Sequence, residues 1–329
     1  MTLPWLDHAK VAAVFAVLMV HVADSFLRQY TFASEYWWIA HIYSSAIRWC
    51  VPVFIMVSGA LLLDPTKKES VTTFYRKRLS RIMIPTIFWS FFFVFVWVSL
   101  KAAMGGPELE LDSAFSTLIS GQPYYHLWFL YMILGLYLFT PFFRMIVAQT
   151  SIKMLWLFTG SAFVLAAMNA ASSDYFTPPF TNWFLMYIPY FFVGHLIRIS
   201  SYSPPKSLLW LIFLCSLSIT CLSMYISSTA YFYGYLSITI IPMSISIMFL
   251  LKTWQCPMLK ATTLKILATL SFGVYLIHPI FLEVIHYHGH KAIQLHPALA
   301  IPALTGVVFM FSLVVAWLIY HITFLRRII

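Results

Sequence analysis

Apolar residues run through this chain in stretches of about 20, the length that crosses a bilayer as a helix, separated by short segments where Lys, Arg, Pro, Gly and Ser collect. Ten such stretches can be placed, at 6–28, 37–63, 80–101, 124–146, 152–171, 181–199, 207–227, 233–251, 266–287 and 298–322. The pair between 207 and 251 is the least regular, because Ser, Tyr and Pro interrupt it. No repeat with a period of about 20 to 50 residues is visible, and no Gly- or Ser-rich linker divides the chain. The pattern therefore predicts one all-α domain over residues 1–329, a polytopic membrane helix bundle. The first apolar run, Val11 to Val20, has no small-x-small cleavage site in the stretch from His21 to Ser25. It is expected to stay in place as the first membrane helix.

Composition narrows the class further. The chain is 61% hydrophobic, 19% aromatic and 9% charged, whereas a soluble domain carries roughly 25% charged residues. So few charges are too few to coat a water-facing globule of this length, which excludes a cytosolic enzyme or a DNA-binding module. The net charge of +10 does not imply a nucleic acid partner, because the Lys and Arg punctuate the ends of apolar runs. Lys10, Lys67, Lys68, Arg76, Lys77, Arg78, Arg81, Arg144, Lys153, Arg198, Lys206, Lys252, Lys260, Lys265, Arg326 and Arg327 fall on one set of loops and helix ends; Arg28, Lys101 and Lys291 fall on the other. The positive-inside rule then predicts that both termini are cytoplasmic. Cys50, Cys215, Cys221 and Cys256 lie in or beside apolar stretches without metal-finger spacing and are expected to be small buried residues.

Ionisable residues at membrane depth are costly and point to function when they share a face. Lys10 and His21 are eleven apart, which leaves them about 20° apart on a helix and about 16 Å along it. Asp7 and Asp24 fall within about 60° of the same direction, so the first span carries one polar stripe. On the second, His41, Ser45, Arg48, Pro52 and Gly59 fall within about 60° of one another. An arginine at the depth of Arg48 needs an anionic partner or a wet cavity, and Pro52 loosens the helix beside it. Ser271, Tyr275 and His278 share a face on the ninth. A single histidine in a bundle more often bonds a neighbouring helix, which is the plain reading for His41, His126, His195 and His321. The loop histidines His286, His288 and His290, with His296 beyond, lack a matching Cys or carboxylate set. A solvated loop is expected there, with no metal.

Several segments taken together resemble the acyltransferase-3 family of integral membrane acyltransferases. They are Leu6, Asp7 and Lys10 followed by His21, with lysine where the family usually has arginine; the stretch from Arg48 to Gly59, RWCVPVFIMVSG; and Arg78-Leu79-Ser80-Arg81 with Pro85. To these add His126-Leu127-Trp128-Phe129 with Pro141, and the run from Ser271 to Pro279, SFGVYLIHP. The resemblance implies a ten-helix enzyme that moves an acyl group, usually acetyl, from cytoplasmic acyl-coenzyme A to a sugar hydroxyl on the outer side of a bacterial inner membrane. It looks nearest to stand-alone members that acetylate a surface glycan, without the fused SGNH esterase-like domain of other members.

That resemblance also suggests roles. Lys10, Arg76, Arg78 and Arg81 would hold the acetyl-coenzyme A donor, and His21 would act as general base or form a transient acyl-histidine. Arg48 would stabilise the developing oxyanion, and Asp24 would raise the basicity of His21. Ser58, His126, Trp128, Ser271, Tyr275 and His278 would contact the acceptor or the acyl carbonyl. The implied partners are acyl-coenzyme A, a surface polysaccharide or lipid-linked sugar, and membrane lipids, with a homo-oligomer open. The rival reading is a carrier of sugars or lipid-linked glycans, which also uses intramembrane charges and Pro-interrupted helices. Against it, the two halves of the chain show no pseudo-repeat.

Overall fold

The computed structural model describes residues 3–67, 69–103, 111–172, 179–227, 230–254, 259–289 and 295–329. Lys68, Cys256, His290 and Lys291, and the side chains of His286, Tyr287 and His288, lie outside the described residues. Among the described residues there are helices and no strands. The main ones are α1 (Pro4–Leu27), α2 (Glu35–Ala46), α3 (Cys50–Leu62), α4 (Val71–Ala103), α5 (Leu111–Ile119) and α6 (Trp128–Gln149). They continue with α7 (Ile152–Ala171), α8 (Trp183–Ile199), α9 (Lys206–Ser227), α10 (Ile240–Lys252), α11 (Ala261–Gly289) and α12 (Pro297–His321). A closing 3-10 turn spans Leu325–Ile328.

Among the described residues, eight helical spans are long and apolar enough to cross a membrane, and the protein is a multi-pass membrane bundle. Two of the ten expected spans are shorter helices. The sixth is α8, of 17 residues, and the eighth is α10, of 13, preceded by a 3-10 turn over Ala230–Tyr233. Helix α5 falls where the sequence pattern predicts only a loop. Large apolar side chains stand exposed on α7, α9 and α12, among them Leu165, Ile226 and Leu299, as lipid-facing surfaces require.

Helix α1 is the hub of the bundle, packing against α2, α3, α10, α11 and α12. Its small residues Ala9, Ala13, Ala16 and Ala23 let those neighbours come close, and all four are buried. The second expected span is two helices, not one, because residues 47–49 form a turn between α2 and α3. Pro52 has no N–H to give to the carbonyl of Arg48 and its ring crowds that carbonyl, so the helix opens there. The common face expected for His41, Arg48 and Gly59 therefore does not exist. His41 bonds the Tyr233 hydroxyl and lies 3.2 Å from the Cys221 carbonyl oxygen, tying α2 to α9 and the following turn.

Gly59 has a packing role as well. A Cβ at Gly59 would overlap the backbone carbonyl of Phe191, and one at Gly194 would overlap that of Met56, so α3 and α8 run backbone against backbone. Gly194→Leu is expected to lose at least about 3 kcal/mol of stability, since neither backbone can move aside. Gly160→Leu, at a position with open space around it, should melt like the wild type. Thermal unfolding of the two variants in detergent checks this; equal melting would contradict the close packing. At the same end, Asp64 accepts bonds from Arg198 at 2.8 Å and from the Thr66 hydroxyl at 2.7 Å. Burial would raise its carboxyl, but the bonds from Thr66 and Arg198 outweigh that and hold it well below the usual carboxylate range.

Candidate functional site

A cavity of about 960 Å³ opens at one end of the bundle, at the top of the size range typical of small-molecule sites. Its polar lining includes Lys10 from α1, Ser58 from α3, Arg76, Arg78 and Arg81 from α4, Tyr137 from α6, Ser271 from α11, and Arg326 and Arg327 from the closing turn. Its apolar walls include Phe54, Leu61, Phe129, Ile133 and Phe272. The four cations expected to hold the donor thus share one cavity. Ser58 and Ser271, expected to meet the acceptor, line this basic cavity too, and the Tyr137 hydroxyl lies 3.4 Å from Ser58 Oγ.

Backbone geometry explains how α4 supplies three guanidiniums. Residues Tyr75–Leu79 form a π-helical segment, in which i→i+5 bonding brings residues five apart to nearly the same face. Arg76 and Arg81, which a regular helix would splay about 140° apart, both reach the cavity. Lys77 points elsewhere and pairs with Glu69 at 3.4 Å. Lys10 pairs with Asp7 at 2.9 Å. Among the described residues, no acid pairs with Arg76, Arg78, Arg81, Arg326 or Arg327 within ion-pair distance. The cavity therefore gathers five guanidiniums with no acid partner among the described residues, under an apolar ceiling.

Tyr275 stands between that ceiling and the next layer. On one side its ring meets Phe129 at 5.7 Å and Phe272 at 6.3 Å, both cavity residues. On the other it meets His126 at 5.3 Å and His278 at 6.0 Å. The His21 ring stacks on His278 with centroids 5.2 Å apart and meets the edge of Tyr125 at 4.8 Å. Two helices, α1 and α11, and the segment before α6 thus bring His21, His126, His278, Tyr125 and Tyr275 together beyond the cavity. No group of His, Cys, Asp or Glu among the described residues has a metal-holding arrangement.

Pro279 sets the state of His278. It cannot donate to the Tyr275 carbonyl one turn back, and His278 Nδ1 takes that place, 2.6 Å from the oxygen. A carbonyl only accepts, so Nδ1 carries the hydrogen and neutral His278 presents a bare Nε2, which is buried and unpartnered among the described residues. The Tyr275 hydroxyl donates to the His126 backbone carbonyl. His21 is half-buried and makes no side-chain hydrogen bond among the described residues.

Arg48 lies in the break between α2 and α3, and its partner is Asp24. Its Nη2 sits 3.2 and 3.3 Å from the two Asp24 carboxylate oxygens and 2.9 Å from Ser44 Oγ. Ser44 itself donates to Asp24 at 2.6 Å, and Nη1 reaches the Tyr233 carbonyl at 3.3 Å. The guanidinium also lies 3.8 Å above the Tyr233 ring. Asp24, expected to raise the basicity of His21, makes its own hydrogen bonds with Arg48 and Ser44. A guanidinium inside the bundle demands a counter-charge. Trp128 packs among Tyr187, Tyr235 and Trp183, outside the cavity lining.

Glu283, which the sequence pattern did not single out, accepts from Trp97 at 3.0 Å, Lys101 at 3.1 Å and the Tyr124 hydroxyl. It anchors Tyr124, and so Tyr125, over His21. An acid five residues past His278 with Lys101 ending the third span was the available signal.

Membrane helices thus close on a cavity lined by arginines, with an imidazole cluster beyond it. The family model described as an acyltransferase domain matches residues 3–321, and the chain belongs to the acyltransferase-3 family, a membrane acyltransferase. Comparison with curated proteins and with solved structures gave no match.

Proposed function

We propose that this protein moves an acetyl group from cytoplasmic acetyl-coenzyme A to a sugar hydroxyl of a surface or lipid-linked glycan, across a bacterial inner membrane. The observation that carries the reading is the cavity whose arginines have no acid partner among the described residues, capped by Tyr275 and the histidine cluster. Phosphates of the donor sit among Arg76, Arg78 and Arg81, where guanidiniums make charge-assisted bonds. The thin pantetheine arm runs past Ser58, Tyr137 and Ser271 toward Tyr275.

At the far end, His21 takes the proton of the sugar hydroxyl as its oxygen attacks the thioester carbonyl. The new C–O bond forms, the C–S bond breaks, and the thiolate leaves with a proton returned by His21. His278 stacks on His21 and fixes its ring plane. Arg48 keeps Nε free of any partner among the described residues, a donor for the carbonyl oxygen as negative charge develops. Asp24 and Ser44 hold that guanidinium in place.

Acetyl-coenzyme A should stabilise the purified protein against thermal unfolding, as any ligand of the folded state does. The gain should shrink as salt is raised from about 0.05 to 0.5 M, because phosphate–arginine contacts are screened. Absence of stabilisation at millimolar donor would contradict the donor site.

A further inference from the structure

One wall of the basic cavity is not a membrane helix. After α12 the chain turns at Ile322, whose backbone is extended, and folds back as the 3-10 turn Leu325–Ile328 against α4 and α12. Two contacts fix it. The buried Trp89 indole on α4 donates to the Ile328 carbonyl at 2.8 Å. Ile329 packs into the core beside Gly273, where even a Cβ would come within 3.2 Å of the Ile329 Cβ. The helix that carries Arg76, Arg78 and Arg81 therefore also docks the segment that carries Arg326 and Arg327.

Topology alone asks only that these two arginines reach water. Here the segment is held so that both line a cavity that already contains three guanidiniums and Lys10. Like charges so gathered repel one another, at a cost that falls on the folded state unless an anion of several charges lies between them. Arg326 is steadied further by the Tyr320 ring, 5.8 Å from its guanidinium carbon and itself a cavity residue.

We propose that the Leu325–Ile328 turn is a third wall of the donor site, with Arg326 and Arg327 binding phosphates of the donor's nucleotide part together with the α4 arginines. This rests on the coenzyme A reading above. Recognition of the donor is then divided. Five guanidiniums grip the phosphorylated nucleotide at the mouth, and the apolar walls and hydroxyls guide the uncharged arm.

The test is coenzyme A itself, titrated by calorimetry into wild type and into the double variant Arg326→Gln/Arg327→Gln, with ligand-free melting measured beside it. Both side chains are exposed, so the variant should melt as the wild type does. Its affinity for coenzyme A should be about 10- to 100-fold weaker, the loss of one or two charge-assisted contacts. An unchanged affinity overturns the proposal and leaves the donor reading standing. Weaker binding accompanied by a melting point several degrees lower also overturns it, because the turn would then be a structural prop. A wild type that does not bind coenzyme A brings down the donor reading, and this inference with it.

Discussion

His21→Ala is expected to slow acyl transfer by about 10³-fold while leaving the affinity for the donor within about twofold of wild type. General-base assistance contributes roughly 10² to 10⁴ in rate, and nothing in the cavity replaces it. Binding energy for the donor sits in a cavity whose lining does not include His21. The loss should therefore fall on the chemical step and not on the donor's dissociation constant. The imidazole is suited to this role by what it does not do: its ring contacts are the stacked His278 and the edge of Tyr125, and its nitrogens carry no protein partner among the described residues. Single-turnover rates and donor titrations on the same preparation check the split. A loss below tenfold, or one explained by weakened donor binding, would remove His21 from the chemistry.

Asp24→Asn should be the most damaging single change to stability among the polar residues, at about 3 kcal/mol. Removing one partner of a buried pair leaves the other charge unsatisfied, which costs more than the pair contributed. The Arg48 side chain is 11% exposed and that of Asp24 26%, and Arg48 takes three of its contacts from Asp24 and Ser44. The double variant Asp24→Asn/Arg48→Met removes the stranded charge and should recover most of the melting temperature, since coupled neighbours are not additive. It should not recover transfer, because the oxyanion donor is gone. Melting of Asp24→Asn at the wild-type temperature would show that Arg48 has another counter-charge.

The helices were legible because lipid tolerates only long apolar runs with their backbone bonds satisfied internally. The exceptions mark where this logic stops. Pro52 signalled weakness in the second span, but a helical wheel drawn through it assumed continuity, so His41 and Gly59 were placed on a face that the turn at 47–49 abolishes. Asp24 lay near the direction of His21 on the wheel of α1, yet its partner comes from the α2–α3 break, and no periodicity within one helix encodes a pairing between two. Tyr275, His278 and Pro279 were legible as a motif; that Pro279 frees the carbonyl which fixes the His278 tautomer is visible only with the coordinates.

The basic cavity shows the same division. Lys10, Arg76, Arg78 and Arg81 could be grouped from the resemblance, while the π-helical register that turns Arg76 inward leaves no mark in the hydrophobic pattern. Arg326 and Arg327 read as plain topology charges, because their place in the cavity depends on docking of a distant turn through Trp89. The role of Glu283 is hidden for the same reason. Its partners Trp97, Lys101 and Tyr124 come from parts of the chain far from it in sequence.

The most direct measurement is transfer of label from radiolabelled acetyl-coenzyme A by the purified wild-type protein in sealed vesicles, with the donor on the face where the arginine cavity opens and a bacterial glycan fraction on the other. Label should appear on the glycan, or as slowly released acetate when no acceptor is present, and only with the donor on that face. A protein that binds no donor and moves no label from either face would contradict the acetyl-coenzyme A reading, and would leave the cavity to a carrier's cargo.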